Sequence, residues 1–223
     1  MAQRAPRRRR SAVETREQLT EAAATVLREQ GYAHASARSI AAGAGVNSAL
    51  VFYHFGSVDQ LLLAALDRSS AARMAAHRAR AAQANSLEDL VEVAVEIYRA
   101  DVAGGHLTLF AELVAASVSK PELRPEISQR AQPWMDFVAE QWDRVVGGSP
   151  LARLLPAQDV ANAAITFYLG VNLFSVLDED QERTEAVFEL ARGLAPRAKL
   201  LTVRLPGRRP ASREVAAARE EEE

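Results

Sequence analysis

The chain has 223 residues, a formal net charge of −2, 48% hydrophobic residues, four histidines and no cysteine. That length and apolar share support one or two folded domains with a real core, and zero cysteines exclude a disulfide framework and thiol chemistry while fitting a reducing compartment such as the cytoplasm. The small net charge hides a division: residues 1–82 carry 12 arginines against 6 acidic residues, and the other 141 carry 15 basic against 23 acidic, which suits a nucleic-acid-binding head on a body that repels phosphate.

Residues 1–12 read as a disordered basic arm. Arg4 and Arg7 to Arg10 lack the apolar core of a signal peptide, so the run serves phosphate or the minor groove, or is a solvated charge run. Ser11 and Glu14 have the spacing of a capping box that starts a helix, and Leu19, Ala22, Ala23, Val26 and Leu27 recur at helical spacing until Gly31 ends it.

From Ser36 to Phe55 the pattern predicts two short helices around a tight turn. Ile40 and Ala41 face inward on the first, Gly43 and Gly45 let the chain reverse, and Asn47 caps a second helix whose Val51 and Phe55 face inward. This is a helix-turn-helix. Its outer face carries Ser48, Ala49, Phe52, Tyr53 and His54, small or aromatic groups that fit a major groove, and Ser36, Arg38, Asn47 and Ser57 complete the expected contacts to double-stranded DNA.

Ser57 also caps a helix expected to run to about Ala82, with Arg68, Arg73, Arg78 and Arg80 outward. About 25 residues span nearly 40 Å, enough to act as a lever between head and body. Ser86 caps the next apolar stripe, through Tyr98, which ends before Gly104, and a further helix runs from Leu107 to Val118. Pro133 kinks or begins a helix that holds Trp134, Phe137 and Trp142. Residues 158–177 are the most apolar stretch, yet Asn162, Thr166 and Asn172 inside it argue against a membrane span and for a helix buried on all sides at a subunit interface. With the helix through Leu194 it would form half of an intersubunit four-helix bundle, with Ile165, Leu169, Val171, Val187, Leu190 and Leu194 as the homodimer seam. Residues 202–223 read as a disordered, charge-balanced tail. Every predicted element is a helix, so the expected class is all-α.

No histidine has a second ligand at zinc spacing, Gly43 and Gly45 follow no strand, and no nucleophile cluster stands out, so neither a metal, a cofactor nor catalysis is expected. An all-helical body on a DNA-reading head invites a ligand cavity between helices, for which Tyr98, His106, Phe110, Trp134, Phe137, Asn162 and Asn172 are the candidate lining.

Gly31-Tyr32, Ser36, Ile40-Ala41, Ala44-Gly45-Val46, Phe52 to Ser57 and Asp59 to Leu62 together resemble the TetR-type bacterial transcriptional repressors. The resemblance covers the first third of the chain. It implies a helix-turn-helix domain over residues 13–72, a regulatory and dimerisation domain over 73–201, and a homodimer that reads a palindromic operator and answers to a small-molecule effector. Phe52 stands where that family commonly has tyrosine and Val58 where it has lysine, so two phosphate contacts are withheld and backbone affinity should be weaker than is typical. The readings of another class are an architectural DNA-binding protein and a helical enzyme.

Overall fold

The computed structural model describes residues 11–202 except 176 and 178–181. Most of the expected arm and tail therefore lie outside the described residues; Ser11 and Ala12, assigned above to the arm, already open the first helix. Among the described residues every regular element is helical.

The head is built from α1 (Ala12–Gln30), α2 (Ala37–Ala44) and α3 (Ala49–Phe55). The Ser11 hydroxyl accepts from the Glu14 N–H while the Glu14 carboxylate accepts from the Ser11 N–H, so the capping box forms as its spacing requires. Gly31 closes α1 at φ 76°, a value that disfavours any residue with a Cβ. Of the two turn glycines only Gly45 makes the reversal, in the left-handed conformation at φ 63°, with its own N–H and that of Val46 bonded back to the end of α2. Gly43 is instead inside α2, where an added Cβ would sit 3.6 Å from Ala22 of α1, an ordinary contact.

The lever, α4 (Val58–Ala81), runs unbroken for 24 residues from its Ser57 cap and leaves α3 at an angle of 64°. It crosses residue 72 without interruption. Around it stand α5 (Leu87–Ala103), α6 (His106–Ser119), α7 (Leu123–Val146), the short α8 (Pro150–Leu154), α9 (Ala157–Ser175), α10 (Glu182–Leu194) and a last turn, α11 (Lys199–Thr202). Pro133 neither begins nor ends a helix; α7 continues through it. The lost intrahelical bond falls at Gln129 and Pro133, both exposed, where water can replace it.

The head does not have a core to itself. Leu19, Leu27, Ile40, Val51 and Leu62 pack in one cluster with Leu109 and Leu113 of α6 and Leu123 and Ile127 of α7. Polar contacts follow the same seam: the Tyr32 N–H donates to Glu112 at 2.8 Å, the Tyr32 hydroxyl donates to Asp59 at 2.5 Å, and Lys120 at the end of α6 donates to both Asp59 oxygens at 3.0 and 3.2 Å. Burial and the Asp59 carboxylate push the Tyr32 phenol above its ordinary range, so it stays a donor. Elements separated by 60 to 80 residues in sequence are thereby fastened into one frame.

Candidate DNA interface and interior cavity

On α3 the sequence periodicity decides what faces out. Val51 is fully buried, while Tyr53 is 79% and Phe52 55% exposed, side by side on the opposite face. Large rings left in water at that level are the groups to expect on a docking surface. Arg38, Ser48 and Ala49 are exposed beside them and His54 is half-buried, its ring edge-on to Tyr53 at 4.9 Å.

The other expected contacts have structural work as well. Ser36 caps α2 by accepting from the Ser39 N–H at 3.1 Å, and Ser57 caps α4 by accepting from Gln60 at 3.1 Å. Asn47 accepts from the Ala49 N–H at 2.8 Å two residues on, which closes an Asx turn ahead of α3; the N-cap of α3 is Ser48 and not Asn47 as expected. Phe55, expected to be a buried phenyl, is only partly buried against the head core. Its outer face is covered by the Arg16 guanidinium, 4.2 Å from the ring centroid, and the same guanidinium donates to the His54 carbonyl at 2.6 Å. Arg16 thus pins the end of α3 to α1. No motif marks it, because the partner lies 38 residues away.

The body holds a cavity of about 190 Å³ between α4, α5, α6, α7 and α9. Five of the seven candidate lining residues are there: Tyr98, His106, Phe110, Trp134 and Phe137. Asn162 and Asn172 are not. Asn162 is exposed and bonds along α9 to Gln158, while Asn172, further along α9, is not among the lining residues; the inner face of α9 is made by Ala164, Ile165, Phe167 and Tyr168.

The polar part of that wall went largely unread in the sequence. Asp101, 1% exposed, is paired with Arg73 through both guanidinium edge nitrogens, accepts from the Tyr168 hydroxyl, and lies 3.3 Å from His77 Nε2. Arg73 therefore points inward, not to solvent as its helix pattern suggested; its guanidinium also lies 4.9 Å over the Trp134 ring. Burial raises the Asp101 carboxyl, but the hydrogen bonds from His77 and Arg73, with the Arg73 charge, hold it below the usual range. Burial and the Asp101 charge push the Tyr168 phenol far up. His106 donates or accepts at Ser69 across 2.5 Å, and burial followed by the Arg73 charge lowers its pKa, leaving the ring neutral. A sequence signal did exist for Asp101: it stands three and four residues after Tyr98 and Ile97, on an otherwise apolar stripe.

The expected subunit seam is redistributed. Ile165 lines the cavity, and Leu169 and Val171 pack into the chain's own core with Val95, Tyr98, Leu107 and Phe188. Val187 borders a shallow groove with Phe167 and Phe174. Leu190 and Leu194 are exposed, and with them Phe167, Leu173 and Phe174, so α9 is apolar on an open face and not enclosed on all sides within one chain. Among the described residues no histidine or acidic cluster could hold a metal ion, and no single helix is long and apolar enough to cross a membrane.

A recognition helix presented by a tight turn, on a head joined to a larger helical body, defines a helix-turn-helix DNA-binding protein. Residues 19–65 match the model of the bacterial regulatory proteins of the tetR family. The chain is 27% identical over 194 residues, 84% of its length and 95% of the relative's, to the HTH-type transcriptional regulator CymR of Pseudomonas putida. Among solved structures it superposes on the multidrug binding protein EbrR complexed with imidazole, with a TM-score of 0.59 at 26% identity, covering 86% of this chain and 96% of the other. A transcriptional regulator of the TetR family from Cytophaga hutchinsonii gives a TM-score of 0.69 at 15% identity over 85% of this chain and 97% of the other, a likeness of fold alone. The amino-terminal head thus matches the tetR-family DNA-binding model, and the chain as a whole is similar in sequence and fold to transcriptional regulators.

Proposed function

We propose that the protein is a ligand-responsive repressor that binds a palindromic operator as a homodimer and is released when a small, mainly apolar molecule enters the cavity between α4, α5, α6, α7 and α9. The observation that carries this reading is the position of α4: its first turn abuts the recognition helix, and its Leu66, Ser70 and Arg73 line the cavity. A molecule in contact with those side chains favours one placement of the lever over another. A tenfold change in DNA affinity needs only about 1.4 kcal/mol of such preference. The two heads of a dimer must sit about 34–36 Å apart, or a multiple, to reach successive major grooves on one face of the duplex, so a small displacement of the lever is enough to spoil the match.

The open apolar faces of α9 and α10 are the support for the dimer. Phe174 is 65% and Leu190 60% exposed, in a chain whose other large apolar groups are mostly enclosed; two such faces meeting would bury them as the core of a four-helix seam. Selection of bound sequences from random duplex DNA tests the operator and dimer part of this reading. It should return an inverted repeat with half-sites about one helical turn apart; the absence of any repeat would favour an architectural protein instead.

A further inference from the structure

The wall of the cavity specifies its occupant more narrowly than "small and apolar". Volume comes first. An apolar cavity of about 150 Å³ takes up benzene, so about 190 Å³ has room for one six-membered ring with short substituents. The ring fits the chemistry of the wall, where Phe110, Trp134 and Phe137 provide aromatic surface and Ile97 and Ile165 fill between them.

Charge comes second. Every ionised group on the wall already has its counter-charge inside the protein: Arg73 is taken by Asp101, and Arg130 by Asp67 and Glu126 at 2.8 and 2.7 Å. Asp101 in turn is surrounded by donors from Arg73, Tyr168 and His77. An ionised ligand would enter a desolvated space with no unmatched partner and lose several kcal/mol of hydration without return. One strong donor is left over. The Arg73 Nε and Nη2 hold Asp101, and Nη2 also reaches Tyr168 at 3.2 Å, whereas Nη1 has no hydrogen-bond acceptor among the described residues.

We infer that the cavity takes an uncharged molecule built on a single aromatic ring and bearing one oxygen acceptor, which docks on Nη1 of Arg73. This rests on the reading of the cavity as the effector site. It also makes the effector's polar end touch the lever directly, through a side chain that ties α4 to α5 and α9.

The test is calorimetric titration of the full-length protein, without DNA, with four probes of one ring each: acetophenone, toluene, benzoate and benzyltrimethylammonium, and a two-ring probe, 2-acetylnaphthalene. Acetophenone should bind at least tenfold more tightly than each of the others, the order expected when a hydrogen bond to a charged donor is added to ring burial. In a Trp142→Phe background, acetophenone should quench the emission of Trp134. Ala131→Phe, which adds a ring from the cavity wall without removing any contact of the ion pair, should abolish binding. Replacing both charges together, Arg73→Leu with Asp101→Leu, leaves no buried charge unpaired and should make acetophenone no better than toluene. Tighter binding of benzoate, of the cation or of the two-ring ketone overturns the inference, as does binding of acetophenone that survives Ala131→Phe or no binding of any probe at millimolar concentration. None of these failures alters the outcome of DNA selection, which stands or falls by itself.

Discussion

At the scale of single residues, exposure separates the side chains proposed to read DNA from those that hold the recognition helix in place. Tyr53 and Arg38 are exposed and make no contact that the head needs, so Tyr53→Ala and Arg38→Ala should each lower operator affinity while leaving the thermal midpoint within about a degree or two. Val51→Ala should behave oppositely. It empties a fully buried site under α3, and although it removes only two methyl groups it should cost on the order of 1–3 kcal/mol, read by chemical denaturation. Phe55→Ala should be milder than a buried phenyl would suggest, because one face of that ring is covered only by Arg16. The cavity histidine gives a pH dependence. His106 binds its proton less readily folded than unfolded, so the unfolded chain gains a proton that the native state resists as pH falls below about 6.5. Stability from this group should therefore be complete above that pH and decline below it, and His106→Gln should remove that part of the decline in melting curves taken between pH 7.5 and 5.5.

At the scale of elements, the informative one is α4, because a single helix is capped beside the recognition helix and carries cavity residues two to four turns later. Ser57→Ala removes the hydroxyl that accepts from Gln60 and should cost roughly 1 kcal/mol in stability. Val58 is the first residue of the same helix and is half-buried against the head core. Val58→Lys exchanges some of that packing for a charge at a place where the resemblance leads one to expect a phosphate contact. Affinity should rise for specific and nonspecific DNA alike, with the salt dependence steeper by about one unit for each added contact, as measured by titrations at several salt concentrations. If both stay as they are, the side chain does not reach the backbone.

At the scale of the whole molecule, if α9 and α10 form the proposed homodimer seam, Phe174→Glu or Leu190→Glu should convert the dimer to monomers in sedimentation and abolish operator binding, although neither residue lies in the helix-turn-helix. Leu169→Glu is the instructive contrast. Leu169 packs inside its own chain, so a charge there should lower the melting temperature of the subunit itself before it affects association. An unchanged sedimentation coefficient for both exposed-face variants would place the dimer contact elsewhere on the surface.

Local chemistry by itself determined the helices, their caps and the face of α3. Ser11, Ser36, Ser57 and Ser86 each cap the helix they precede, and the outward position of Phe52 and Tyr53 follows from the 3.6-residue period once Val51 is inside, because these are interactions within four residues of chain. Tyr98, Phe110, Trp134, Phe137 and His106, named from the sequence as candidate lining of a cavity in the helical body, do line it. What only the tertiary structure decided was which side of a helix meets another helix far away in sequence. Arg73 looks like one more solvated arginine on an alanine-rich helix until α5 brings Asp101 to it across 28 residues and α9 brings Tyr168 across 95. Leu169 and Leu194 look alike in an apolar run, yet one packs partly buried against the cluster of Tyr98 and Phe188 and the other is exposed. Periodicity states that a helix has an apolar side; the choice between core, cavity and subunit contact for that side is made by the packing of separate elements, which no single stretch of sequence contains.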